Sequence, residues 1–554
     1  MANPELKPDR NYLFYGDNLD VMRRYIPDNS VDLVYLDPPF KSNQDYNVLF
    51  EEKDGTQSAA QILAFEDTWH WDLESRSTFD AMTSADQLNR GGVYTRIADT
   101  LLGMRRFLGT NDMMAYITMM APRLLELRRV MKPTASIYLH CDPTASHYLK
   151  VLMDAVFGAE NYRNEVVWKR TSAHNDSKRF GRIHDVILIY AKSVKTIFNV
   201  LRKELDATYV NKVYNKVDDN GRRYRLDNIS APGCRGPVYE WGGKTQAWRF
   251  TKENMEDLYK QGRIRLYPDG RAMINAYVRY LDESIGQPIQ DWWDDIGVIA
   301  APAKERLGYP TQKPETLLER IIQASSNEGD TVFDPFCGCG TTVASAQKLN
   351  RRWLGIDITH LAIGLIKHRL FTAYGNEAKY EVIGEPVDLA GAKALADADK
   401  YQFQYWALGL VGARPFEQKK GADRGIDGVL FFEPEGPAGA KEKIMISVKG
   451  GHVQSSHIRD LRGVIDREEA KIGVLITLNA ATREMTREAS EVGFYRPKGM
   501  YEGEFPRIQI LTIEELLNGA RINFPGWGSG NVTHRRPPKA SGKKKDVKME
   551  KLEF

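Results

Sequence analysis

Four consecutive residues, Asp37-Pro38-Pro39-Phe40, follow an apolar run that is typical of a buried strand, Val31–Leu36. A carboxylate and a backbone carbonyl can together accept both hydrogens of an exocyclic amino group, and proline suits this turn because it donates no N–H and fixes the backbone. The aromatic side chain at the fourth position can stack on a base. Since the amino group of a paired base is blocked, the base must first leave the duplex. The tetrapeptide therefore predicts chemistry on the amino group of a flipped base.

A second motif, Asp334 to Thr342, contains two glycines at a spacing of two and stands between a predicted strand and a predicted helix. Glycine lets a ligand approach the backbone, and the helix N-terminus that follows favours a carboxylate. Asp357 ends the next predicted strand, 23 residues after Asp334, close to the offset of ~20 at which nucleotide-binding α/β units place an acid on ribose hydroxyls. The pattern predicts a nucleoside-containing cofactor. Cys337 and Cys339 lack the Cys-x-x-Cys pairing of zinc sites, so no metal is predicted there.

Strand and helix patterns alternate around both motifs, which indicates an α/β fold whose parallel sheet carries helices on its faces. A helix is predicted over residues 113–131, and strands over Ser136–His140 and Asp185–Tyr190. Residues 193–300 have few long apolar runs and predict an inserted unit rich in loops. The predicted boundaries are a first domain at 1–385 with the 193–300 insert inside it, a connector at 386–400, a second, smaller α/β domain at 401–525 and a basic, disordered tail at 526–554.

The composition is that of an ordinary globular chain, since 42% of the 554 residues are apolar and 27% are charged. No run approaches the ~18 apolar residues of a membrane span, and four cysteines favour a reducing, cytoplasmic location over a disulfide scaffold. The net charge is only +3, but residues 163–271 hold 23 basic and 13 acidic residues, with aromatics such as Trp168, Tyr224, Trp241 and Trp248 among them. This mixture suits phosphate neutralisation and base stacking, although a solvated basic face explains the charge equally well.

With these motifs on a predicted α/β sheet, the sequence resembles the β group of S-adenosylmethionine-dependent DNA amino-methyltransferases. The motif order is the one typical of that group, with the base clamp first and the cofactor loop last. The likeness covers roughly residues 11–375 and includes Tyr15-Gly16-Asp17-Asn18 and Thr311-Gln312-Lys313-Pro314. It implies that residues 1–385 form a Rossmann-like methyltransferase domain and that 193–300 form its target-recognition region.

The resemblance also implies residue roles. Asp37 and the Pro38-Pro39 backbone would bind the target amino group, and Phe40 would stack on the flipped base. Asp357 would hold the cofactor ribose, and Asp17 would meet the adenine. The residues implied to lie around the methionine end of S-adenosylmethionine are Lys313, Pro314, Asp334, Phe336, Gly338, Gly340, Thr341 and Thr342. Methyl transfer from a sulfonium needs no strong base, so three histidines receive no catalytic role: His140, His174 and His184.

Two segments near the C-terminus, Gly421–Gly428 and Ile444–Lys449, look like parts of the Mrr-type restriction-endonuclease domains of the PD-(D/E)xK class. This second resemblance covers roughly residues 401–515. In that class an Asp and a Glu or Gln on adjacent strands position a divalent ion, and a lysine two residues later supports the attacking water.

The nuclease pattern is incomplete in this sequence. Asp427 and Lys449 match it, but Ser447 stands where Glu or Gln is expected, and Gln404 replaces a common helix carboxylate. One carboxylate makes a weak site for Mg²⁺, although Glu417 or backbone carbonyls can add ligands. Three interpretations stay open: an active nuclease with Mg²⁺ at Asp427, an inactive domain used for DNA contact or assembly, and a coincidence of pattern.

The sequence thus predicts a sequence-specific methyltransferase that acts on the N6 amino group of adenine in double-stranded DNA. Adenine is preferred because an Asp at the first catalytic position is commoner among N6 enzymes, whereas cytosine-N4 enzymes more often carry Ser. The alternatives are a cytosine-N4 methyltransferase, a bifunctional restriction–modification enzyme that also cleaves DNA, and a non-catalytic, cofactor-sensing DNA-binding protein. The resemblance further implies a homodimer.

Overall fold

The computed structural model describes residues 6–7, 9–39, 70–171, 180–300, 303, 305–307, 309, 312–416, 425–434, 441–497 and 503–525. The chain divides into two units, of which one comprises residues 1–199 and 291–554 and the other comprises Val200–Gln290. Phe40, His174, Thr311, Glu417 and the predicted tail lie outside the described residues.

The first part of the larger unit alternates strands and helices. Asn111 begins the long helix of this part, because its side chain accepts a hydrogen bond from the Met114 N–H. The helix passes at Met131 directly into a strand that starts earlier than the predicted Ser136. The elements are β1 (Asn11–Tyr15), α1 (Asn18–Tyr25), β2 (Val31–Leu36), α2 (Leu73–Met82), α3 (Ala85–Asn89), α4 (Gly92–Leu108), α5 (Asp112–Val130), β3 (Met131–Cys141), α6 (Ser146–Phe157), β4 (Tyr162–Lys169) and β5 (His184–Ala191).

The smaller unit, Val200–Gln290, is built mainly from strands of two to nine residues, where the sequence predicts a unit rich in loops. Its core is small and surrounds the fully buried Trp248. Its elements are β6 (Arg202–Lys203), α7 (Ala207–Val213), β7 (Lys216–Val217), β8 (Arg223–Asn228), β9 (Val238–Trp241), β10 (Lys244–Ala247), α8 (Lys252–Lys260), β11 (Ile264–Leu266), β12 (Ala272–Tyr280) and β13 (Gln287–Pro288). The largest sheet has the order β11-β12-β8-β7.

The chain then returns to the main sheet of the larger unit. These elements are β14 (Trp292–Trp293), α9 (Glu315–Ser325), β15 (Thr331–Asp334), α10 (Thr341–Lys348), β16 (Arg352–Asp357), α11 (His360–Tyr374) and β17 (Tyr380–Ile383). Among the described residues, nine strands form this sheet, in the order β14-β4-β5-β3-β2-β15-β16-β1-β17. All six residues of β2 are buried, as expected for a parallel strand covered on both faces.

The main sheet confirms the predicted α/β class, but it is mixed rather than parallel throughout. The strand β5 runs antiparallel to both β3 and β4. A strand that pairs with the strand preceding it in the chain runs antiparallel unless a long crossover intervenes. The remaining neighbours, from β3 through β2, β15, β16 and β1 to β17, are parallel.

A second, smaller α/β region follows. The predicted connector at 386–400 contains one helix and ends where a second begins, because Asp399 is extended and caps the second helix through the N–H groups of Tyr401 and Gln402. The elements are α12 (Leu389–Ala398), α13 (Lys400–Leu410), β18 (Arg414–Pro415), β19 (Gly428–Phe432), β20 (Glu442–Lys449), α14 (Ser456–Arg467), β21 (Ile472–Thr477), α15 (Arg483–Glu491), β22 (Phe494–Tyr495), β23 (Phe505–Pro506), β24 (Ile508–Thr512) and α16 (Ile513–Leu517). Five strands form a mixed sheet in the order β18-β19-β20-β21-β24. In the part of the chain that the structure describes, no helix has the length and apolarity to cross a membrane.

Candidate active site

The order of the main sheet brings the two sequence motifs together. The strands β2, β15, β16 and β1 are consecutive neighbours and run parallel, so their carboxyl ends lie at one edge. Asp37 follows β2, Asp334 ends β15, Asp357 ends β16, and Asp17 follows β1. In open α/β sheets this edge is where ligands bind. Four acids that are far apart in sequence therefore line one ligand-binding edge.

The Asp37 carboxylate is paired with the ammonium group of Lys313, which donates a hydrogen bond to Asp37 Oδ2. Both side chains are partly sheltered, with exposed fractions of 27% for Asp37 and 17% for Lys313. Pro38 is buried and Pro39 half-buried, while the stacking role predicted for Phe40 lies outside the described residues. Lys313 thus contacts the acid that is predicted to bind the target amino group, a contact that the resemblance alone did not suggest.

The glycine loop has the backbone shape that the second motif predicts. Gly338 has a φ of +47° and Gly340 a φ of +73°, in the left-handed region that favours glycine. Gly340 begins α10, where the first-turn residues Thr341 and Thr342 are buried. A Cβ atom on Gly340 would lie 2.6 Å from Ile366 Cγ1. Only a residue without a side chain therefore fits this turn.

The loop is folded around the buried Asp334 and the half-buried Asp357. The Phe336 N–H donates to Asp334 Oδ1 at 3.0 Å, and the Gly338 N–H donates to Asp357 Oδ2 at 2.9 Å. Thr359 donates to Asp357 Oδ1 from both its N–H, at 2.9 Å, and its hydroxyl, at 2.8 Å. Backbone N–H groups of the loop thus hold both carboxylates.

Burial raises the pKa of both acids. The pKa of Asp334 is raised to about 7, because burial and the charges of Asp37 and Asp357 outweigh its hydrogen bonds. The pKa of Asp357 is raised to about 6 by burial, against hydrogen bonds from Thr359 and Gly338. A bound cation would stabilise the ionised form of both acids. The cradle at Gly340 and the two acids fit a cofactor that carries positive charge and a ribose.

Asp17 has a structural task that the sequence did not reveal. It caps α1 by accepting hydrogen bonds from the N–H groups of Leu19 and Asp20, and its second oxygen accepts from Arg123 Nη2 at 2.7 Å. The neighbouring Asn18 amide donates to the Pro335 carbonyl at 3.0 Å. These bonds join the end of β1 to the cofactor loop, while contact of Asp17 with adenine stays a prediction.

A buried chain of polar side chains lies behind Asp37. The Tyr35 hydroxyl lies 2.9 Å from His140 Nδ1, and His140 Nε2 lies 3.1 Å from Asp185 Oδ2. Arg170 lies 3.5 Å from the other oxygen of Asp185. Burial alone would raise the pKa of Asp185. The hydrogen bond and charge of His140 and the charge of Arg170 outweigh burial and lower this pKa. Burial, together with the charge of Asp37, raises the pKa of Tyr35 well above its usual value.

Sequence reasoning missed this chain because its members lie on three different strands. Tyr35 belongs to β2, His140 to β3 and Asp185 to β5. The sequence offered one signal that Tyr35 lies near the predicted site. Tyr35 and Asp37 are two residues apart, and this spacing places both side chains on one face of an extended chain. The side-chain pairing itself depends on strand order.

The structure corrects part of the predicted base-stacking surface. Trp168 and Trp248 are 1% and 0% exposed, so neither ring can stack on a base. Trp241 and Tyr224 are half-buried. Several arginines of the smaller unit also have acidic partners within it: Arg222 with Asp282 and Glu283, Arg263 with Glu283, and Arg225 and Arg279 with Asp227. Part of the positive charge counted in the sequence is therefore neutralised locally.

The three residues of the predicted nuclease site also lie together. Asp427 Oδ2 accepts hydrogen bonds from the Val448 N–H at 2.6 Å and the Ser447 hydroxyl at 3.1 Å, and Lys449 Nζ lies 3.9 Å away. Gln404 donates to the backbone carbonyl of Asp427 rather than to this cluster. Among the described residues, no group of three or more His, Cys, Asp and Glu side chains is placed to hold a metal ion. The magnesium role considered for Asp427 stays a prediction, since Glu417 lies outside the described residues.

Comparison with known families decides the affiliation of the larger part of the chain. Residues 31–368 match the model of the N6/N4 family described as DNA methylase. The chain belongs to this DNA methylase family. Residues 401–518 match a second model, described as NACHT-associated inactive Restriction Endonuclease 1.

Similar curated proteins include a type II methyltransferase and a Mod subunit of a type III restriction-modification enzyme. The Type II methyltransferase M.EcaI of Enterobacter cloacae is 34% identical over 46% of this chain and 57% of its own length. The Type III restriction-modification enzyme StyLTI Mod subunit of Salmonella typhimurium is 26% identical over 62% of this chain and 51% of its own length. The chain thus spans little more than half the length of these two relatives.

Solved structures that align with this chain include the Thermus thermophilus protein TTHA0409 in complex with S-adenosyl-L-methionine. It aligns with a TM-score of 0.32 at 15% identity and covers 68% of this chain and 100% of that chain. The PvuII cytosine-N4-specific DNA methyltransferase aligns with a TM-score of 0.29 at 12% identity and covers 64% of this chain and 84% of that chain.

Proposed function

We propose that this protein transfers a methyl group from S-adenosylmethionine to the N6 amino group of an adenine flipped out of double-stranded DNA. The observation that carries the proposal is the position of Asp37 beside the glycine loop, at the edge of the sheet where Asp334 and Asp357 also lie. A base clamp adjacent to a cofactor cradle is what amino-group methylation requires, because the reacting atoms must be held in line.

The chain's residues account for the chemistry as follows. Asp37 accepts one N–H of the target amino group and the Pro38-Pro39 backbone accepts the other, which orients the nitrogen lone pair. S-adenosylmethionine supplies, when bound, a methyl group activated by its sulfonium. Asp334 orients the methionine end of this cofactor, and Asp357 holds its ribose. After transfer the nitrogen loses a proton, for which the Asp37 carboxylate is the nearest proposed acceptor.

The choice of adenine rests on the Asp at the first position of the clamp, as the family resemblance implies. Cytosine-N4 transfer uses the same geometry and is the alternative outcome of the test below. The smaller unit, Val200–Gln290, is proposed to select the target sequence. It lies within the predicted 193–300 insert.

The C-terminal domain is proposed to be inactive as a nuclease. Its match to a family described as inactive supports this, and so does the cluster around Asp427, whose carboxylate is bonded to Ser447 and the Val448 backbone. Incubation of unmethylated DNA with the protein and Mg²⁺ is expected to leave the DNA intact. Cleavage that is lost in Asp427→Ala would show instead a bifunctional restriction–modification enzyme.

The methylation reaction is tested on the product. The protein is incubated with S-adenosylmethionine and unmethylated mixed-sequence DNA, and the digested nucleosides are identified by mass. N6-methyladenine is expected, and Asp37→Ala is expected to abolish it while retaining cofactor binding. N4-methylcytosine would identify cytosine as the target base instead of adenine. If the cofactor binds but no methylated base forms, the result would favour a cofactor-sensing DNA-binding protein.

A further inference from the structure

The N-terminus of α11 directly supports the acid proposed to hold the cofactor ribose. Thr359 precedes this helix, donates two hydrogen bonds to Asp357 Oδ1, and accepts one from the Ala362 N–H at 3.2 Å. The first N–H groups of a helix have no acceptor inside it and need one from elsewhere. The geometry at Asp357 therefore depends on how this helix end is held.

The acceptor for the first N–H of α11 comes from the C-terminal domain. The His360 N–H donates to Gln402 Oε1 at 3.1 Å, and both residues are buried. Gln402 lies on α13, within the 401–518 segment that matches the inactive-endonuclease family. A side chain from one domain thus satisfies a backbone group three residues after Asp357 in the other.

The His360 ring extends this contact into the cofactor edge. It stacks on Tyr15 with centroids 3.6 Å apart, and Tyr15 is paired with Asp357 in the sheet. The two helices α11 and α13 also line a cavity of about 220 Å³, to which His360, Leu365 and Tyr405 contribute.

We propose that the C-terminal domain serves the methyltransferase domain as an intramolecular support, in which Gln402 positions Asp357 for the cofactor through the N-terminus of α11. Gln402 is a positioning residue, since it contacts the helix end and not the cofactor edge. This gives a nuclease-like domain a task that needs no cleavage. The inference rests on the proposed use of S-adenosylmethionine.

The test compares two glutamines on the same helix. In Gln402→Met the acceptor for His360 is lost at nearly constant volume, whereas Gln404→Met removes only the donor to the Asp427 carbonyl. Full-length wild-type and variant proteins are titrated calorimetrically with S-adenosylmethionine, and KM and kcat are measured on methylatable DNA. Gln402→Met is expected to weaken cofactor binding and to raise the KM for S-adenosylmethionine about five-fold or more. The kcat at saturating cofactor and the KM for DNA are expected to stay unchanged. Gln404→Met is expected to behave as wild type.

A third variant distinguishes loss of the hydrogen bond from misfolding of the protein. Gln402→Glu keeps an oxygen for the His360 N–H, and helix N-termini favour anions, so it is expected to recover most of the affinity. Equal cofactor affinity in wild type and Gln402→Met would overturn the inference. Parallel losses of kcat, DNA affinity and cofactor affinity in Gln402→Met would also overturn the inference. An equal loss of cofactor affinity in Gln404→Met would overturn it as well. A wild-type protein that binds no cofactor would instead contradict the proposed function.

Discussion

Lys313 donates a hydrogen bond to the Asp37 carboxylate, although 276 residues separate the two in the chain. Lys313 immediately precedes Pro314, the N-cap residue of α9, and Asp37 follows β2. The proposed base clamp and the segment that leads into α9 therefore meet through one ion pair. This contact gives Lys313 a proposed task at the reacting amino group.

Removing the Lys313 ammonium is expected to slow methyl transfer. In Lys313→Met the Asp37 carboxylate loses its cation, and the partly exposed pair suggests a loss of about 1–2 kcal/mol, or about ten-fold in rate. Single-turnover methylation at saturating cofactor measures the effect. Lys313→Arg, which keeps the charge, is expected to stay closer to wild type. An unchanged single-turnover rate in Lys313→Met would show that the pair has no part in the reaction.

Cofactor binding is expected to weaken as the pH falls. Without cofactor the pKa of Asp334 is about 7 and that of Asp357 about 6, both raised mainly by burial. Below these values the acids are protonated and neutral, so attraction to a cationic ligand is present at higher pH and lost as the pH falls through this window. Calorimetric titration is expected to show binding about ten-fold weaker near pH 6 than near pH 8.

The control for this pH dependence is Asp334→Asn. It is expected to bind the cofactor weakly at every pH, with a flatter profile than the wild type because only Asp357 still titrates. A wild-type affinity that is constant over the same window would contradict the assignment of these two acids to the cofactor.

Substitution of the second loop glycine is expected to damage the cofactor cradle. In Gly340→Ala the new Cβ would lie 2.6 Å from Ile366 Cγ1, on a residue whose φ is +73°. The left-handed conformation costs about 1–2 kcal/mol for a residue with a side chain. Cofactor affinity and the free energy of unfolding should both fall. Gly103→Ala is the matched control, because nothing lies within 4 Å of its added Cβ.

The buried Tyr35–His140–Asp185 chain is expected to contribute to stability. His140→Ala leaves both the Tyr35 hydroxyl and the Asp185 carboxylate without their His140 partner, and is expected to lower the free energy of unfolding by about 2–4 kcal/mol. Tyr35→Phe removes one bond and should cost about 1 kcal/mol. Denaturant unfolding measures both, with Tyr138→Phe as a control that loses a buried bond to Ser325. Equal effects of His140→Ala and Tyr35→Phe would contradict the role of His140 as the link.

Much of the local structure could be predicted because it depends on residues that are neighbours in the sequence. The strand Val31–Leu36 and the turn and helix around Gly340 and Thr341 agree with their patterns, since hydrophobic periodicity and glycine conformation are local properties. The helix predicted at 113–131 agrees with the structure to within a residue at each end. The mixed direction of the sheet was missed, because strand pairing is a relation between distant segments.

By itself the sequence determined the chemical types at the site: the Asp37 clamp, the glycine loop and the acid at Asp357. Only the tertiary structure decided what these groups touch. Lys313 lies on Asp37, and Gln402 holds the helix end beside Asp357. Charge and size are carried by single residues, whereas burial, side-chain pairing and raised pKa values arise only when strand order brings remote segments together.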